Sequence, residues 1–316
     1  MHKPTERFKP ERNQTGFMDR NWSKYNNKLV KRGEFYLSFD FIQNWDEELK
    51  QMNDNKRGSP YEFPQSFIDF SSFTKTIFNL PYRQLQGVFN KLSLYVEGLK
   101  SADYTTLWRR VRKTEFTIMP KEKLECEKEA VIVATDATGM KVTNRGEWMR
   151  EMWKKRRGWI KVHIAVDVKT KELVGIEITD ERVGDNKEFE NLVEHALKTL
   201  NGREVKRVLA DAAQDTRDNF NFLKRKDIES GIRIRKNAST RSRGSPYGAQ
   251  CVRELKKIGY EKWKEKYQYG MRWASEGYFS AVKRIFGENM KATSKEGMVQ
   301  EVKMKFLFYN TIAQME

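Results

Sequence analysis

The stretch Tyr269-Gly-Met-Arg272-Trp-Ala-Ser-Glu276-Gly-Tyr-Phe-Ser-Ala-Val-Lys283 has the pattern Y-x2-R-x3-E-x6-K. As a helix it would present Tyr269, Arg272, Glu276 and Lys283 on one face, because residues three, four and seven apart recur on the same side. A carboxylate between two cations suits a site that holds a metal ion and a phosphate. The same spacing also describes a solvated helix face with an ordinary Arg272–Glu276 pair, so the rest of the chain must decide. Two further acids are placed to join. Asp136 directly follows the apolar run Ala130–Thr135, and Asp211 directly follows Val205–Ala210. If these runs are neighbouring strands, both carboxylates converge at one sheet edge and Glu276 can supply the third. An aspartate after a strand is also common turn chemistry. Three convergent acids would cage two divalent ions, which sit about 3.5–4 Å apart and clamp the attacking and leaving oxygens of a phosphoryl displacement.

The choice of ion follows from the other ligand types. The chain has two cysteines, Cys126 and Cys251, no C-x2-C pair, and three widely separated histidines, His2, His163 and His195. This argues against a cysteine-based zinc site, a disulfide framework and histidine catalysis. Carboxylate oxygens select Mg2+ or Mn2+, expected here as two ions. The 61 Lys and Arg outnumber the 44 Asp and Glu, a net charge of +17 over 316 residues. An excess of one sign points to an anionic partner, with nucleic acid first; adaptation to heat would add both signs together. No apolar run approaches the roughly 20 residues of a membrane span, and the start, MHKPTERFKPERNQ, lacks the apolar core of a secretory signal. The expectation is a cytoplasmic protein with no membrane partner.

These acids need a frame. Residues 1–65 read as a basic, partly extended N-terminal arm, with Arg12, Lys24, Lys28, Lys31 and Arg32 among Trp22, Tyr25 and Phe35. Such an arm lies along DNA, packs on a neighbour or is a poorly ordered leader. Residues 66–127 read as a helical DNA-binding domain. Phe67, Phe70, Phe73, Ile77 and Phe78 recur at helical spacing, and Pro81 opens a second helix that buries Leu85, Val88, Phe89, Leu92 and Leu94. After a break at Gly98–Asp103, Ser101 or Asp103 caps a third helix. Its Leu107 and Val111 face inward and leave Arg109, Arg110, Arg112 and Lys113 for solvent or phosphate. Helix, short turn, basic helix is the layout of a helix-turn-helix. Residues 128–316 change to α/β. Strands are expected at Ala130–Thr135, Ile160–Val168, Leu173–Thr179, Val205–Ala210 and Ile232–Ile234, with helices at Asn186–Leu200 and Asp215–Lys226, the latter capped by Asp215. The order implies a mixed sheet with flanking helices.

Two basic segments lie outside the motif. Lys141, Arg145, Arg150, Lys154, Lys155, Arg156 and Arg157 interleave with Trp148, Trp153 and Trp159. This mixture suits DNA backbone contact with base stacking, or a solvated loop whose tryptophans pack on the sheet. The segment from Arg233 through Arg235, Lys236, Arg241 and Arg243 to Pro246 reads as a loop that orders on phosphate, or as a plain flexible loop. His163 is expected to face out from its strand, and His195 lies on a helix without a nameable partner.

Taken together, these segments resemble the DDE transposases of the IS4/IS5 insertion-sequence superfamily, on the IS5 side. Asp136-Ala-Thr-Gly-Met-Lys141 is similar to the family's first-acid segment, and Arg157-Gly-Trp-Ile-Lys161-Val-His163 to the basic-to-strand segment after it. Ala210-Asp211-Ala-Ala-Gln-Asp215 is similar to the second-acid segment. Tyr269–Lys283 matches the third-acid signature, and Asp103-Tyr-Thr-Thr-Leu-Trp resembles the block before the catalytic domain. Ala137 stands where Ser is usual, and Gln214 where an aromatic residue is usual. The resemblance implies an RNase H-like core in which Asp136, Asp211 and Glu276 are both the catalytic residues and the metal ligands. A metal-activated water would cut the phosphodiester at the element's end, and the freed 3′-hydroxyl would attack target DNA. Tyr269, Arg272 and Lys283 would hold phosphates. The implied partners are double-stranded DNA, as terminal inverted repeats and target, and further copies of the chain on that DNA. The implied setting is a prokaryotic cytoplasm, nucleoid-associated when DNA is bound. A degenerate or repurposed copy that only binds DNA is the alternative.

The charge excess yields the first prediction. Affinity for duplex DNA, followed by fluorescence anisotropy, should fall steeply with salt, with a log–log slope of about −0.9 for each phosphate contacted. A flat response would contradict the basic-surface reading.

Overall fold

The computed structural model describes residues 21–118, 130–142 and 159–315. Residues 21–38 belong to one compact unit and residues 39–314 to another. In the first, α1 (Trp22–Phe35) starts where the Asn21 side chain accepts a hydrogen bond from Lys24 N at 3.0 Å, and it buries none of its residues. In the second, a 3-10 turn (Asp40–Asn44) leads into α2 (Trp45–Asn53). Three acids in the first turn of α2, Asp46, Glu47 and Glu48, complement the helix dipole. The expected partly extended arm is therefore helical over much of residues 22–53; a cap and charge placement favour helix where hydrophobic periodicity is weak.

Helices α3 (Gln65–Ile77), α4 (Tyr82–Leu92) and α5 (Tyr104–Lys113) follow. They assemble around an aromatic cluster. Phe67, fully buried, lies with ring centroids 5.2 Å from Phe89, 5.3 Å from Trp45 and 5.5 Å from Phe63. Asp103 caps α5 by accepting from Thr105 N at 2.8 Å. The connection from α4 to α5 spans residues 93–103, longer than the three or four residues or so of a helix-turn-helix turn.

The sheet has five strands: β1 (Val131–Lys141), β2 (Trp159–Asp167), β3 (Leu173–Asp180), β4 (Val205–Ala210) and β5 (Glu229–Ile232). Their order is β3-β2-β1-β4-β5. β1, β2 and β3 pair antiparallel, while β4 runs parallel to β1 and β5 parallel to β4. With helices on both faces this is an RNase H-like sheet, preceded by a helical region. On one face Val131, Val133, Val208 and Ala210 pack with Phe189 and Leu192 of α6 (Asp185–Thr199), Phe220 and Leu223 of α7 (Arg217–Arg225) and Cys251 and Val252 of α8 (Pro246–Ile258). Thr216, not Asp215, caps α7 through Asn219 N at 3.3 Å. Asp215 instead accepts from Arg235 N at 2.7 Å.

After α9 (Tyr260–Lys266) the chain reaches α10 (Trp273–Phe286) on the opposite face, and then α11 (Lys295–Gln314). The segment joining α10 to α11 is clamped from both sides. Lys141 N donates to the Glu288 carbonyl at 3.0 Å, and Met290 N donates to the Lys141 carbonyl at 3.3 Å. From α11, Lys305 Nζ donates to the carbonyls of Gly287 (3.3 Å) and Asn289 (2.6 Å), and Glu301 accepts from Lys291 N and Ala292 N. α11 also receives the helical region: Phe308 packs on Phe73 and Phe116, and Gln300 Nε2 donates to the Thr114 carbonyl at 2.8 Å. Among the described residues no helix is long and apolar enough to cross a membrane.

Truncating the aromatic anchor should be costly. Phe67→Ala should lower unfolding free energy by about 3–5 kcal/mol, measured by urea denaturation. A loss below about 1 kcal/mol would show that the cluster does not hold the helical region together.

Candidate active site

β1 and β4 bring the two aspartates together. Their last registered pair is Ala134 with Leu209, both fully buried. Asp136 and Asp211 each lie two residues further along, and paired positions of parallel strands share a face. Asp136 does not follow its strand, as expected from the apolar run. It lies inside β1, which outruns β4 and continues opposite β2, with Asp136 paired to Ile164. Asp211 does follow its strand, at the entrance of a 3-10 turn (Ala212–Gln214) whose Ala213 N donates to Asp211 Oδ1 at 2.9 Å.

The third acid arrives through an arginine. Arg272 Nη1 donates to Asp136 Oδ2 at 2.8 Å, and Nη2 donates to Glu276 Oε1. Ser275 Oγ, bonded to the Arg272 carbonyl at 2.8 Å, lies 3.5 Å from Asp136 Oδ2. Asp136 Oδ1 also accepts from Ala137 N at 2.9 Å, so the missing Ser hydroxyl does not leave this acid unheld. Asp136 and Arg272 are about one-fifth exposed, whereas Glu276 is 58% exposed. One guanidinium thus joins the first and third acids, while the second stands beside the first.

Electrostatics follow from this packing. Burial raises the Asp136 pKa, and nearby Asp211 adds to the rise; the Ala137 N–H and the Arg272 charge oppose it. For Arg272, burial works against the charge, but Asp136, Tyr269 and Glu276 outweigh it and its pKa is raised. Among the described residues no three acidic, histidine or cysteine side chains stand close enough to hold an ion together. The donor set still fits a hard divalent cation: two neighbouring carboxylates raise each other's need for positive charge, and all candidate ligands are oxygens. Arg272 supplies positive charge there in this arrangement.

The single helix expected over Tyr269–Lys283 is interrupted. Gln268 is left-handed (φ 51°), Tyr269–Arg272 form a 3-10 turn, and α10 starts only at Trp273. Tyr269 is buried against Trp263 with ring centroids 5.2 Å apart, and burial raises its pKa. It is a packing residue in this structure rather than a surface contact. Lys283 lies 3.8 Å from Glu288 Oε1, and Glu288 also pairs with Lys141 at 3.0 Å.

The other expected contacts divide. Arg109 is exposed on α5, but Arg110 donates to the Phe63 carbonyl (2.9 Å) and Gln65 Oε1 (3.1 Å) and lies over Tyr61. Arg112 pairs with Glu296 of α11 at 3.0 Å. Arg235 donates to the carbonyls of Ala212 (2.8 Å) and Ala213 (3.1 Å), bracing the turn after Asp211, a support that sequence spacing could not reveal. Lys236 is exposed. Lys154, Lys155, Arg156 and Arg157 lie outside the described residues. Gln214 is buried and accepts from Asn219 Nδ2 through both its backbone and side-chain carbonyls, a polar replacement for aromatic packing. His163 does not face out: it is buried, bonded to Thr179 Oγ1 at 2.9 Å, and burial lowers its pKa. Helices cover both sheet faces, so the alternation in β2 does not mark a solvent side. His195 Nδ1 meets the Ile176 carbonyl at 3.1 Å and Glu177 at 3.3 Å.

A raised folded-state pKa means that the folded chain binds the Asp136 proton more tightly than the unfolded chain. Its contribution to stability is present below the ordinary carboxylate range and is lost as pH rises through the folded-state value. Arg272→Ala removes a cation and a hydrogen bond that both favour the ionised form. Asp136 should then titrate at higher pH than in the parent, read by carbon-13 carboxyl NMR. An unchanged or lower titration would contradict the described pairing.

Comparison with known proteins supplies the family. Two family models, both described as "Transposase DDE domain", match residues 127–311 and 30–145. Among solved structures, the chain is similar to a piggyBac transposase in a synaptic complex with hairpin DNA (10% identity, covering 90% of this chain and 73% of that one, TM-score 0.36). It is also similar to the Drosophila P element transposase in a strand transfer complex (9%, 89% and 70%, 0.34) and to the Mos1 mariner paired end complex with Mn (12%, 92% and 92%, 0.24). At these scores the assignment comes from the sequence models alone. The longer model spans more than half of the 316 residues and contains Asp136, Asp211 and Glu276, and on that match this chain belongs to the DDE transposase family.

Proposed function

We propose that the protein cuts DNA at the ends of its own transposable element and joins the freed 3′ ends to target DNA, in the manner of the IS5-like members of its family. The observation that carries this reading is the pairing of β1 with β4, which sets Asp136 beside Asp211 on the face that α10 crosses. Asp136, Asp211 and Glu276 would hold Mg2+ or Mn2+, as a pair of ions. Such ions supply activation of the attacking oxygen and neutralisation of charge at phosphorus. The chain's own residues do the positioning. The β1–β4 pairing holds the two aspartates, the Ala137 and Ala213 N–H groups fix one oxygen of each, and α10 carries Glu276 on its exposed side. Arg272 beside the acids and Lys283 further along α10 would meet DNA phosphates; the planar guanidinium can grip one through two donors. The substrate is double-stranded DNA, as terminal inverted repeats and target, acted on by more than one copy of the chain. The setting is a prokaryotic cytoplasm.

One observation favours a second reading, a repurposed copy that binds DNA without cutting it. Arg272 spans Asp136 and Glu276 and so supplies one positive charge to the two acids from within the chain.

A cleavage and strand-transfer assay with magnesium and the element's ends separates the two. The parent should cut, and Glu276→Gln should lose at least about 100-fold in rate, the order of a lost transition-state contact, while keeping DNA affinity within about threefold. Undiminished cleavage by Glu276→Gln would refute the site. A parent that binds its ends tightly without cutting them would establish the second reading.

A further inference from the structure

We propose that a basic groove beside the second acid, between the start of α7 and the loop before α8, is a separate contact for the phosphodiester backbone of DNA. This rests on the reading of the chain as a DNA-processing enzyme. The groove encloses about 430 Å³ and is lined by Arg217, Arg235, Arg241 and Arg243 among small polar residues. Arg217, Arg241 and Arg243 are exposed, and among the described residues nothing bonds or pairs with their guanidinium groups. The one acid in the described lining, Asp215, already accepts from Arg235 N.

Two of these cations break local rules. Arg217 is the first residue of α7, where the aligned peptide dipoles disfavour a positive charge. Arg243 has φ 42°, a left-handed backbone that residues other than glycine rarely adopt, and Gly244 follows at φ 88°. Rules broken without local compensation are expected at functional sites. An anion in the groove supplies the compensation. It meets three free guanidinium groups, whose planar donors match phosphate oxygens, together with the starts of α7 and α8. The described lining favours backbone over base: its one aromatic ring, Phe220, is buried and offers no stacking platform. Arg235 ties the floor to the second acid through the Ala212 and Ala213 carbonyls. A strand crossing Asp211 therefore passes next to this groove.

The test uses the full chain and two unrelated duplexes of equal length, with affinity measured by anisotropy across salt concentrations. Arg241→Gln combined with Arg243→Gln should make the log–log salt slope shallower by about 1–2, at about 0.9 for each lost phosphate contact. The change should be the same on both duplexes. Arg217→Gln, on a different element, should make it shallower by about 1, and Arg241→Lys combined with Arg243→Lys should keep the parent slope. Mn2+ binding at the acids, read by electron paramagnetic resonance, should be unchanged in all variants. Unchanged slopes in the glutamine variants, with a parent that binds DNA, overturn the groove and leave the proposed function standing. A parent that binds no DNA overturns both. Loss on one duplex only overturns the backbone assignment. Saturable inorganic phosphate binding that the variants lose, with DNA slopes unmoved, assigns the groove to a free anion instead.

Discussion

Two carboxylates stand side by side in this protein because β1 and β4 run parallel, in register, through a buried sheet. In the pairing of Val131–Ala134 with Val205–Leu209 every side chain other than Lys206 and Arg207 is apolar, and most are withdrawn from water. Hydrophobic burial therefore stabilises a contact that electrostatics opposes. Beyond the last pair, β1 continues along β2 while β4 stops, which leaves Asp136 and Asp211 past the end of the β1–β4 ladder. The cost of placing two acids there is visible in the raised pKa of Asp136, whose burial outweighs its own ion pair. A site that needs positive charge follows from the strand pairing.

The third acid depends on a longer chain of contacts. Glu276 rides on α10, and α10 is tied at its start by Arg272 to Asp136 and beyond its end by the backbone pairing of residues 288–290 with Lys141. Both ties go to β1, so the helix is registered against the strand that carries the first acid. Lys305 and Glu301 of α11 hold the linking segment from behind, both almost wholly buried and both spending their charge on backbone groups. Because α11 also packs on α3 and bonds the end of α5, the helical region and the acids share one support. Arg272 holds Asp136 and Glu276 together within the chain, and in the proposed reaction its donors would also serve a phosphate.

Much of this was legible from residue order, for reasons that differ by element. Val205–Ala210 matches β4 to the residue, because a short apolar run ended by an acid leaves little choice. The Asn186–Leu200 helix is displaced by one residue, since its buried stripe is regular. Asp136 was harder: residues 136–139 contain Asp, Thr and Gly, which locally favour a turn, and only pairing with β2 keeps them extended. The Tyr269–Lys283 face was half legible. Arg272 and Glu276 are neighbours as their spacing implies, but the left-handed Gln268 and the 3-10 turn bury Tyr269 beside Trp263, and periodicity does not register such a turn. Positive residues are the least legible, because in a sequence a cation looks the same whether it meets solvent or a carbonyl. Arg110 and Arg235 each donate to backbone carbonyls, while Arg217 at the head of a helix belongs to no motif in the sequence.

The central claim is that Asp136 and Asp211 form one cation site with Glu276 at its edge. Manganese binding followed by electron paramagnetic resonance tests it most directly, on the parent and on Asp136→Asn and Asp211→Asn, each in the presence of duplex DNA. The account predicts that the parent binds the ion and that either single change weakens binding at least about tenfold, as loss of one ligand or its support does. Manganese affinity unchanged in both variants would contradict it.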